Sequence, residues 1–272
     1  MNEPTPSPEE HGGGGRMDPS RIVLHQFVSS HFNEKARWAL DWKGLPHRRV
    51  THFPGPHAIT MLRLSGQTAT PVLLLDGAAI AGSAQIVAAL DARFPERRLL
   101  PADPKHAERA LALANHFDAE VGPAVRTAVF SVLIRDPDQL CRTFSQGKPA
   151  WSSRLYRAAF PLTKAIIARA NGVTDPANIE RAFAKSEAAL DQIVREVGPS
   201  GQLVGDGFSL ADLASAALLA PLVSPDHPDM RPPGPRPPAL EAFLARFASH
   251  PGVAWVREQY RKHRPAPCAV PA

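Results

Sequence analysis

The stretch from Arg21 to Phe94 alternates short apolar runs with segments of helical periodicity, and this alternation constrains the fold more than any other feature. Short runs rich in Val, Ile and Leu predict strands, whereas apolar residues recurring at i, i+3, i+4 and i+7 predict helices. The Asp76-Gly77 pair between two such runs is a strong signal for a two-residue hairpin. The sequence therefore predicts, in chain order, a strand at Ile22–Phe27, a helix at Phe32–Lys43, a strand at Arg48–His52, a short helix at His57–Leu64, strands at Pro71–Leu75 and Ala78–Ala81, and a helix at Ala84–Phe94 capped by Ser83.

The rest of the chain shows helical patterns only. Asp175-Pro176 combines an N-cap residue with a proline at the first helical position, where the missing N–H would have no partner in any case. Ser209 and Asp212 have the spacing of a capping box, and Phe208 and Leu213 occupy the positions of a hydrophobic staple. We therefore expect a mixed α/β unit followed by an all-helical unit, with one of its helices beginning at Ser209.

These patterns predict an α/β domain over residues 21–97, a proline-containing linker over 98–104 and an all-α domain over 105–263. The first 20 residues are rich in Pro, Gly and Glu and lack periodicity, which predicts a disordered tail. Residues 264–272 are expected to form a second tail. In the all-α domain we expect one stripe of large side chains to be core, with part of it able to line a pocket: Trp151, Tyr156, Phe160 and Ile166.

Composition excludes several classes of protein. The net charge of +5 comes from scattered basic residues without a long Lys/Arg run, which argues against nucleic-acid binding. No apolar run approaches the ~20 residues that a membrane span needs. The two cysteines, Cys141 and Cys268, lie far apart in the sequence, so no disulfide framework is expected and a reducing cytoplasm is the predicted location.

Ser30-His31-Phe32-Asn33 follows the first predicted strand, begins the first helix and contains no cysteine. A helix N-terminus presents free N–H groups and the positive end of the helix dipole, so it stabilises an anion placed there. The Ser30 hydroxyl adds one more donor at that point. The site therefore suits a thiolate supplied by a ligand, since the protein offers no sulfur of its own.

Together with Thr70-Pro71 before the hairpin, Gly82-Ser83 at the third helix and the Ser209/Asp212 box, these residues resemble a glutathione S-transferase of the serine-dependent kind. The resemblance covers about residues 21–263. It implies a thioredoxin-like N-terminal domain that binds glutathione, an all-α domain that holds an electrophile, and a two-fold dimer. The implied catalytic residue is Ser30, and the implied glutathione-binding residues are Phe32, His57, Thr70, Pro71, Gly82 and Ser83.

The resemblance also implies individual roles for these residues. Pro71 is expected to be cis, with the Thr70 backbone pairing with the cysteinyl part of glutathione. Ser83, at another helix N-terminus, is expected to hold the γ-glutamyl carboxylate. His57 stands where some relatives place a lysine for the glycyl carboxylate. The sequence departs from the family pattern at His31, where many relatives have proline, and at Gly82, where they usually have glutamate.

The predicted function is conjugation of glutathione, acting as co-substrate, to a small electrophile, a detoxification reaction that needs no metal. The alternative is a non-catalytic module of the same fold that binds ligands or proteins, and Gly82 and His31 favour it. A thiol–disulfide oxidoreductase would need a cysteine at position 30 or 33 and is excluded. The five histidines of the first domain lack the spacing and the thiol partners of a zinc site.

Overall fold

The computed structural model describes residues 18–271. Residues 1–17 of the predicted disordered tail therefore lie outside the described residues. Residues 18–20, which were also predicted to be disordered, are ordered: Pro19–Arg21 forms one 3₁₀ turn, and the Asp18 side chain accepts a hydrogen bond from the backbone N–H of Ser20. This turn leads directly into the first strand.

The N-terminal unit is built on a mixed sheet whose strand order, within the described residues, is β4-β3-β1-β2-β5. The central strand β1 pairs in parallel with β2 and antiparallel with β3, and the Asp76-Gly77 hairpin joins β3 to β4. The strands are β1 (Ile22–Gln26), β2 (His47–Thr51), β3 (Val72–Leu75), β4 (Ala78–Ala81) and β5 (Ala269–Val270). The helices of this unit are α1 (His31–Trp42), α2 (His57–Ser65) and α3 (Ser83–Arg93).

These elements confirm the predicted order of strands and helices, with one local correction. Ser83 does not cap α3 but is its first residue, and the N-cap is Gly82 with φ +91°. Glycine reaches this backbone conformation at no steric cost, whereas any other residue would be strained.

The C-terminal unit is all-helical. A π-helical turn at Phe117–Val121 joins its first two helices, and prolines occupy the first turns of several others. The helices are α4 (Pro104–His116), α5 (Gly122–Leu133), α6 (Pro137–Phe144), α7 (Ala150–Ala170), α8 (Pro176–Glu196), α9 (Leu210–Val223), α10 (Pro238–Phe247) and α11 (Pro251–His263). No helix of the described chain combines the length and apolarity that a membrane crossing requires.

Helix α9 lies at the centre of the core and packs against α1, α4, α5 and α11. The predicted capping box at its start is present: the Asp212 carboxylate accepts hydrogen bonds from the backbone N–H and the hydroxyl of Ser209. Asp212 also accepts from the backbone N–H of Leu203, so it fixes the preceding loop to the helix. Burial raises the pKa of Asp212 to about 6.

The stripe expected to be core on α7 is only partly buried. Tyr156 and Phe160 are buried in a second apolar cluster with Leu140. Trp151 and Ile166 are 71% and 68% exposed, so neither belongs to the core, although Ile166 lines the larger of the two cavities described below. Helix α7 packs on one side only, chiefly against α6, so its opposite face remains uncovered.

The segment predicted as a C-terminal tail is docked onto the first domain. Residues Ala269–Val270 form β5 beside β2, and the backbone N–H of Cys268 donates to Asp41 at 2.7 Å. The side chain of Arg264 is fully buried. No local pattern indicates this docking, because the Pro-rich composition of the segment resembles that of a solvated tail.

Arg264 is the centre of a buried ion cluster that joins the two domains. Its guanidinium contacts the carboxylates of Glu34 at 2.7 Å, Asp41 at 2.8 Å and Asp229 at 2.8 Å. Burial raises the pKa of Asp229, but the neighbouring Arg37 and Arg49 outweigh it and bring that pKa to about 2. Asp229 is therefore ionised at neutral pH.

We predict that Arg264→Met destabilises the protein by about 3–5 kcal/mol, because three largely buried carboxylates lose the one arginine that they share and, within the described chain, only Arg37 and Arg49 remain to balance them. The matched control is Arg261→Met, about one turn earlier in the chain, where the arginine is 68% exposed and pairs with Glu258 on the surface. Urea unfolding followed by circular dichroism measures both. Equal, small losses of unfolding free energy in the two variants would contradict the prediction.

Candidate functional site

Ser30 lies where the predicted anion site requires it, at the N-cap of α1 directly after the turn that leaves β1. Its backbone is extended, and its hydroxyl oxygen accepts a hydrogen bond from the backbone N–H of Asn33 at 3.4 Å. This is a long bond, so the cap is weakly made. The hydroxyl remains able to donate its own hydrogen to an anion at the end of the helix.

Asn33 connects this helix end to the loop before β3. Its side chain is fully buried, and its amide nitrogen Nδ2 donates to Thr70 Oγ1 at 3.2 Å. The peptide bond between Thr70 and Pro71 is cis, as the resemblance implies. Asn33 therefore links the first turn of α1 to the side chain of Thr70, a contact that no sequence pattern indicates.

Gly82 and Ser83 form the second helix N-terminus of the site. Ser83 is only 5% exposed. A Cβ atom at Gly82 would lie 2.5 Å from Gln85 Oε1, and the positive φ at this position disfavours any side chain. The local backbone thus disfavours the glutamate that the resemblance leads one to expect at this position, and the Gln85 amide occupies the adjoining space.

His57, the first residue of α2, packs edge-on against Phe27 with ring centroids 4.6 Å apart. Its Nδ1 accepts from the backbone N–H of Gly55 at 3.1 Å. Burial lowers the pKa of His57 below its usual value. The imidazole is therefore neutral at neutral pH and offers a hydrogen bond rather than a charge.

His31 ties the start of α1 to the helical domain. Its Nε2 donates to the backbone carbonyl of Gly122 at 3.0 Å, in the first turn of α5. Burial lowers the pKa of His31 to about 3, and the charge of Arg126 acts in the same direction. His31 is therefore a neutral bridge between the domains in the place where many relatives have proline.

Phe32 packs against the same turn of α5. A Cβ atom at Gly122 would lie 2.6 Å from Phe32 Cζ, so the ring is in contact with the backbone of the helix. Arg126, one turn further along α5, has its Cζ 5.9 Å from the centre of the Phe32 ring. His31 and Phe32 together therefore fix the distance between Ser30 and α5.

A cavity of about 570 Å³ opens between the two domains at this point. Ser30, Phe32, His57 and Thr70 line it on the side of the first domain. Its other wall comes from the helical domain and is mostly apolar, with contributions from α5, α6, α7, α9 and α10: Val129, Phe130, Leu133, Leu140, Ile167, Ala220 and Leu240.

The remaining predicted residues lie next to this cavity. Pro71 and Gly82 line an adjoining cavity of about 210 Å³, which shares Thr70 with the larger one, and Ser83 follows Gly82. Neither Cys141 nor Cys268 lines either cavity. Among residues 18–271 no group of three or more His, Cys, Asp or Glu side chains is placed to hold a metal ion.

The arrangement offers hydroxyl and backbone N–H donors on one wall of a mostly apolar cavity. It can hold an anion at α1, an extended polar ligand along Thr70 to Ser83, and an apolar molecule against the helical wall. Arg126 and Gln139 also line the larger cavity, and the sequence analysis missed both. A charged or amide residue on an amphipathic helix gives no sequence signal that it faces a cavity.

Residues 24–98 match the family model of the glutathione S-transferase N-terminal domain. Comparison with curated protein sequences finds none that matches the chain significantly.

Solved structures with the same fold extend over nearly the whole chain. A glutathione S-transferase of Methylobacillus flagellatus with glutathione bound is 20% identical, covering 89% of this chain and 95% of its own, with a TM-score of 0.59. One of Methylobacterium radiotolerans in complex with glutathione sulfonate is 23% identical, covering 93% and 99%, with a TM-score of 0.58. A β-etherase of Sphingobium sp. strain SYK-6 is 20% identical, covering 88% and 100%, with a TM-score of 0.58. At these identities the likeness shows the fold.

We predict that Gly122→Ala destabilises the protein by about 1–3 kcal/mol, because the added methyl group must displace the Phe32 ring. Gly207→Ala is the control, since no atom lies within 4 Å of a Cβ at Gly207. Shortening the obstructing ring in the double variant Gly122→Ala/Phe32→Leu should make the Gly122 substitution less costly. Thermal unfolding measures all of these, and an unchanged melting temperature for Gly122→Ala would show that Phe32 does not pack against α5.

Proposed function

We propose that this protein, whose residues 24–98 match the glutathione S-transferase N-terminal domain family and whose chain has the glutathione S-transferase fold, binds glutathione and joins it through its sulfur to an electrophilic carbon. The observation that carries the proposal is Ser30. It is a hydroxyl at the N-terminus of a buried helix, with no protein thiol beside it, on the wall of an apolar cavity. This combination can stabilise a thiolate that a ligand brings, whereas the protein has no thiol of its own at this point.

The proposed role of Ser30 is to stabilise the anionic form of the glutathione sulfur. A free thiol has a pKa near ~8.5, so only a small fraction is ionised at neutral pH. Lowering that pKa by about two units requires roughly 2.7 kcal/mol of preferential binding to the thiolate. A charge-assisted hydrogen bond from the Ser30 hydroxyl, together with the dipole of α1, can supply this.

The reaction that follows is a displacement or an addition. The thiol proton passes to solvent, the thiolate attacks the electrophilic carbon, and a carbon–sulfur bond forms. In a displacement the leaving group departs with the bonding electron pair. In an addition the π bond of the electrophile breaks, its electron pair moves to the adjacent atom, and that anion takes a proton from solvent. The helical wall contributes by holding an apolar electrophile near the sulfur, which raises its effective concentration.

The tripeptide is proposed to lie along the first domain. The Thr70 backbone, held by Asn33 and followed by Pro71, pairs with the cysteinyl part. Ser83 and the free N–H groups of α3 receive the γ-glutamyl carboxylate. His57 donates to the glycyl carboxylate. At Gly82 no carboxylate is available for the glutamyl amine, so one charge-assisted contact worth about 1.5–3 kcal/mol is missing.

The second candidate is a non-catalytic module of the same fold that binds a ligand or a protein. The glycine at position 82 favours this candidate, because it offers no carboxylate to the glutamyl amine. Calorimetric titration with glutathione separates the two. The transferase predicts a dissociation constant of about 1 mM or tighter, and Ser83→Ala should weaken it because a carboxylate contact is lost. Absence of binding at about 10 mM glutathione would contradict the transferase and support the module.

We predict that Ser30→Ala lowers kcat for conjugation roughly ten- to hundred-fold while changing glutathione affinity much less. The bond from Ser30 strengthens as the sulfur becomes anionic, so its loss falls on the reactive state. Steady-state kinetics with a model electrophile, together with calorimetry, separates the two effects.

Two further variants distinguish this role from simple helix capping. Ser30→Asp retains a good N-cap but places a carboxylate against the thiolate, so it should be at least as slow as Ser30→Ala. Ser30→Thr retains both the cap and the hydroxyl, so it should keep most of the activity. If Ser30→Ala conjugates as fast as the parent, Ser30 is only a helix cap and the proposed mechanism is wrong.

A further inference from the structure

Arg126 is a cation without a counter-ion on the wall of the larger cavity. It lies on α5, is half-buried, and forms no hydrogen bond or ion pair with any residue that the structure describes. Its Nε is buried and unpartnered. Burial lowers the pKa of Arg126 below its usual value, but a guanidinium remains charged at neutral pH.

The other charged residues of this cavity are already neutralised. Asp229 contacts Arg49 at 2.6 Å and Arg264 at 2.8 Å. Arg231 pairs with Asp226 at 2.7 Å and is 65% exposed. Among the described lining residues, the uncompensated charge is therefore the positive one of Arg126.

A second donor without a partner lines the same cavity. Gln139 is 1% exposed, and its Nε2 has no hydrogen-bond partner. The orientation of its amide is fixed, because Oε1 accepts from Arg142 at 2.8 Å. Unpaired buried donors are costly unless a ligand supplies acceptors.

We infer that the electrophile conjugated by this protein is an apolar, ring-sized molecule that carries one anionic group, such as a carboxylate, and that Arg126 binds that group. The inference rests on the proposed function and names the substrate class of its site. The apolar wall accounts for the ring, and the guanidinium forms a bidentate contact with a planar carboxylate. Gln139 offers a further hydrogen bond on the same wall.

The test compares two electrophiles of nearly equal shape, 4-chloro-3,5-dinitrobenzoate and 4-chloro-3,5-dinitrobenzamide. In both, the thiolate attacks the chlorine-bearing carbon, a carbon–sulfur bond forms, and chloride leaves with its electron pair while the thiol proton passes to solvent. Each kcat/KM is divided by the rate constant of the uncatalysed reaction with glutathione. The parent protein should favour the benzoate roughly ten-fold or more.

Arg126→Met should abolish this preference, and Arg126→Lys should retain part of it, because an ammonium keeps the charge but not the bidentate geometry. Arg135→Met is the matched control. Arg135 is exposed, lies just beyond α5 and does not line the cavity, so its removal changes the net charge equally and should preserve the preference. Glutathione affinity should be the same in all four proteins.

Binding of unreactive analogues separates failure of this inference from failure of the proposed function. Calorimetry with 3,5-dinitrobenzoate and 3,5-dinitrobenzamide needs no turnover. Preferential binding of the benzoate that Arg126→Met removes would support the ligand class even if neither chloro compound is conjugated. The transferase proposal is tested separately, by glutathione binding and by Ser30→Ala. Three results would overturn the inference. The preference for the benzoate could survive in Arg126→Met, the parent could bind and conjugate both compounds equally, or Arg126→Met could lose affinity equally for both.

Discussion

The burial of α1 is the constraint on which the rest of this structure depends. This helix lies between the sheet and the helical domain, and nearly every residue from His31 to Asp41 is buried, including Glu34, Lys35, Arg37 and Asp41. Charges in such a position are tolerated only when each has a partner. The partners come from distant parts of the chain: Lys35 contacts Asp118 at 2.5 Å, and Arg264 contacts both Glu34 and Asp41. The C-terminal segment is therefore part of the support of α1.

The contacts that hold α1 also position the candidate site, because Ser30 lies at the N-terminus of α1. His31 fixes the first turn of α1 to α5 through the carbonyl of Gly122, and Asn33 fixes it to Thr70. The helix end, the backbone that is proposed to hold glutathione, and the wall that carries Arg126 are thereby held in one geometry. Catalysis by charge stabilisation benefits from such a fixed arrangement, since the donors need not reorganise as the charge develops.

The sequence predicted the fold well where local signals are strong. Apolar periodicity, the Asp76-Gly77 turn and the Ser209/Asp212 box each depend on neighbours in the chain, and each was found in the structure. The prediction of a C-terminal tail was wrong, because the docking of Arg264 and Cys268 depends on carboxylates of α1 more than 200 residues away in the chain. For the same reason Arg126 and Gln139 could not be predicted: only packing decides which residues of a helix face a cavity. The boundaries of the domains, and the roles of Ser30 and the glutathione-binding residues, stay predictions.

The central claim is that the end of α1 holds a ligand thiolate, and the ionisation of bound glutathione tests it most directly. The thiolate absorbs ultraviolet light more strongly than the thiol, so a pH titration of the protein–glutathione complex, measured against the protein alone, gives the pKa of the bound thiol. The account predicts a pKa about two units below the ~8.5 of a free thiol, and a return toward that value in Ser30→Ala. A bound thiol that titrates at the same pH as free glutathione would contradict it.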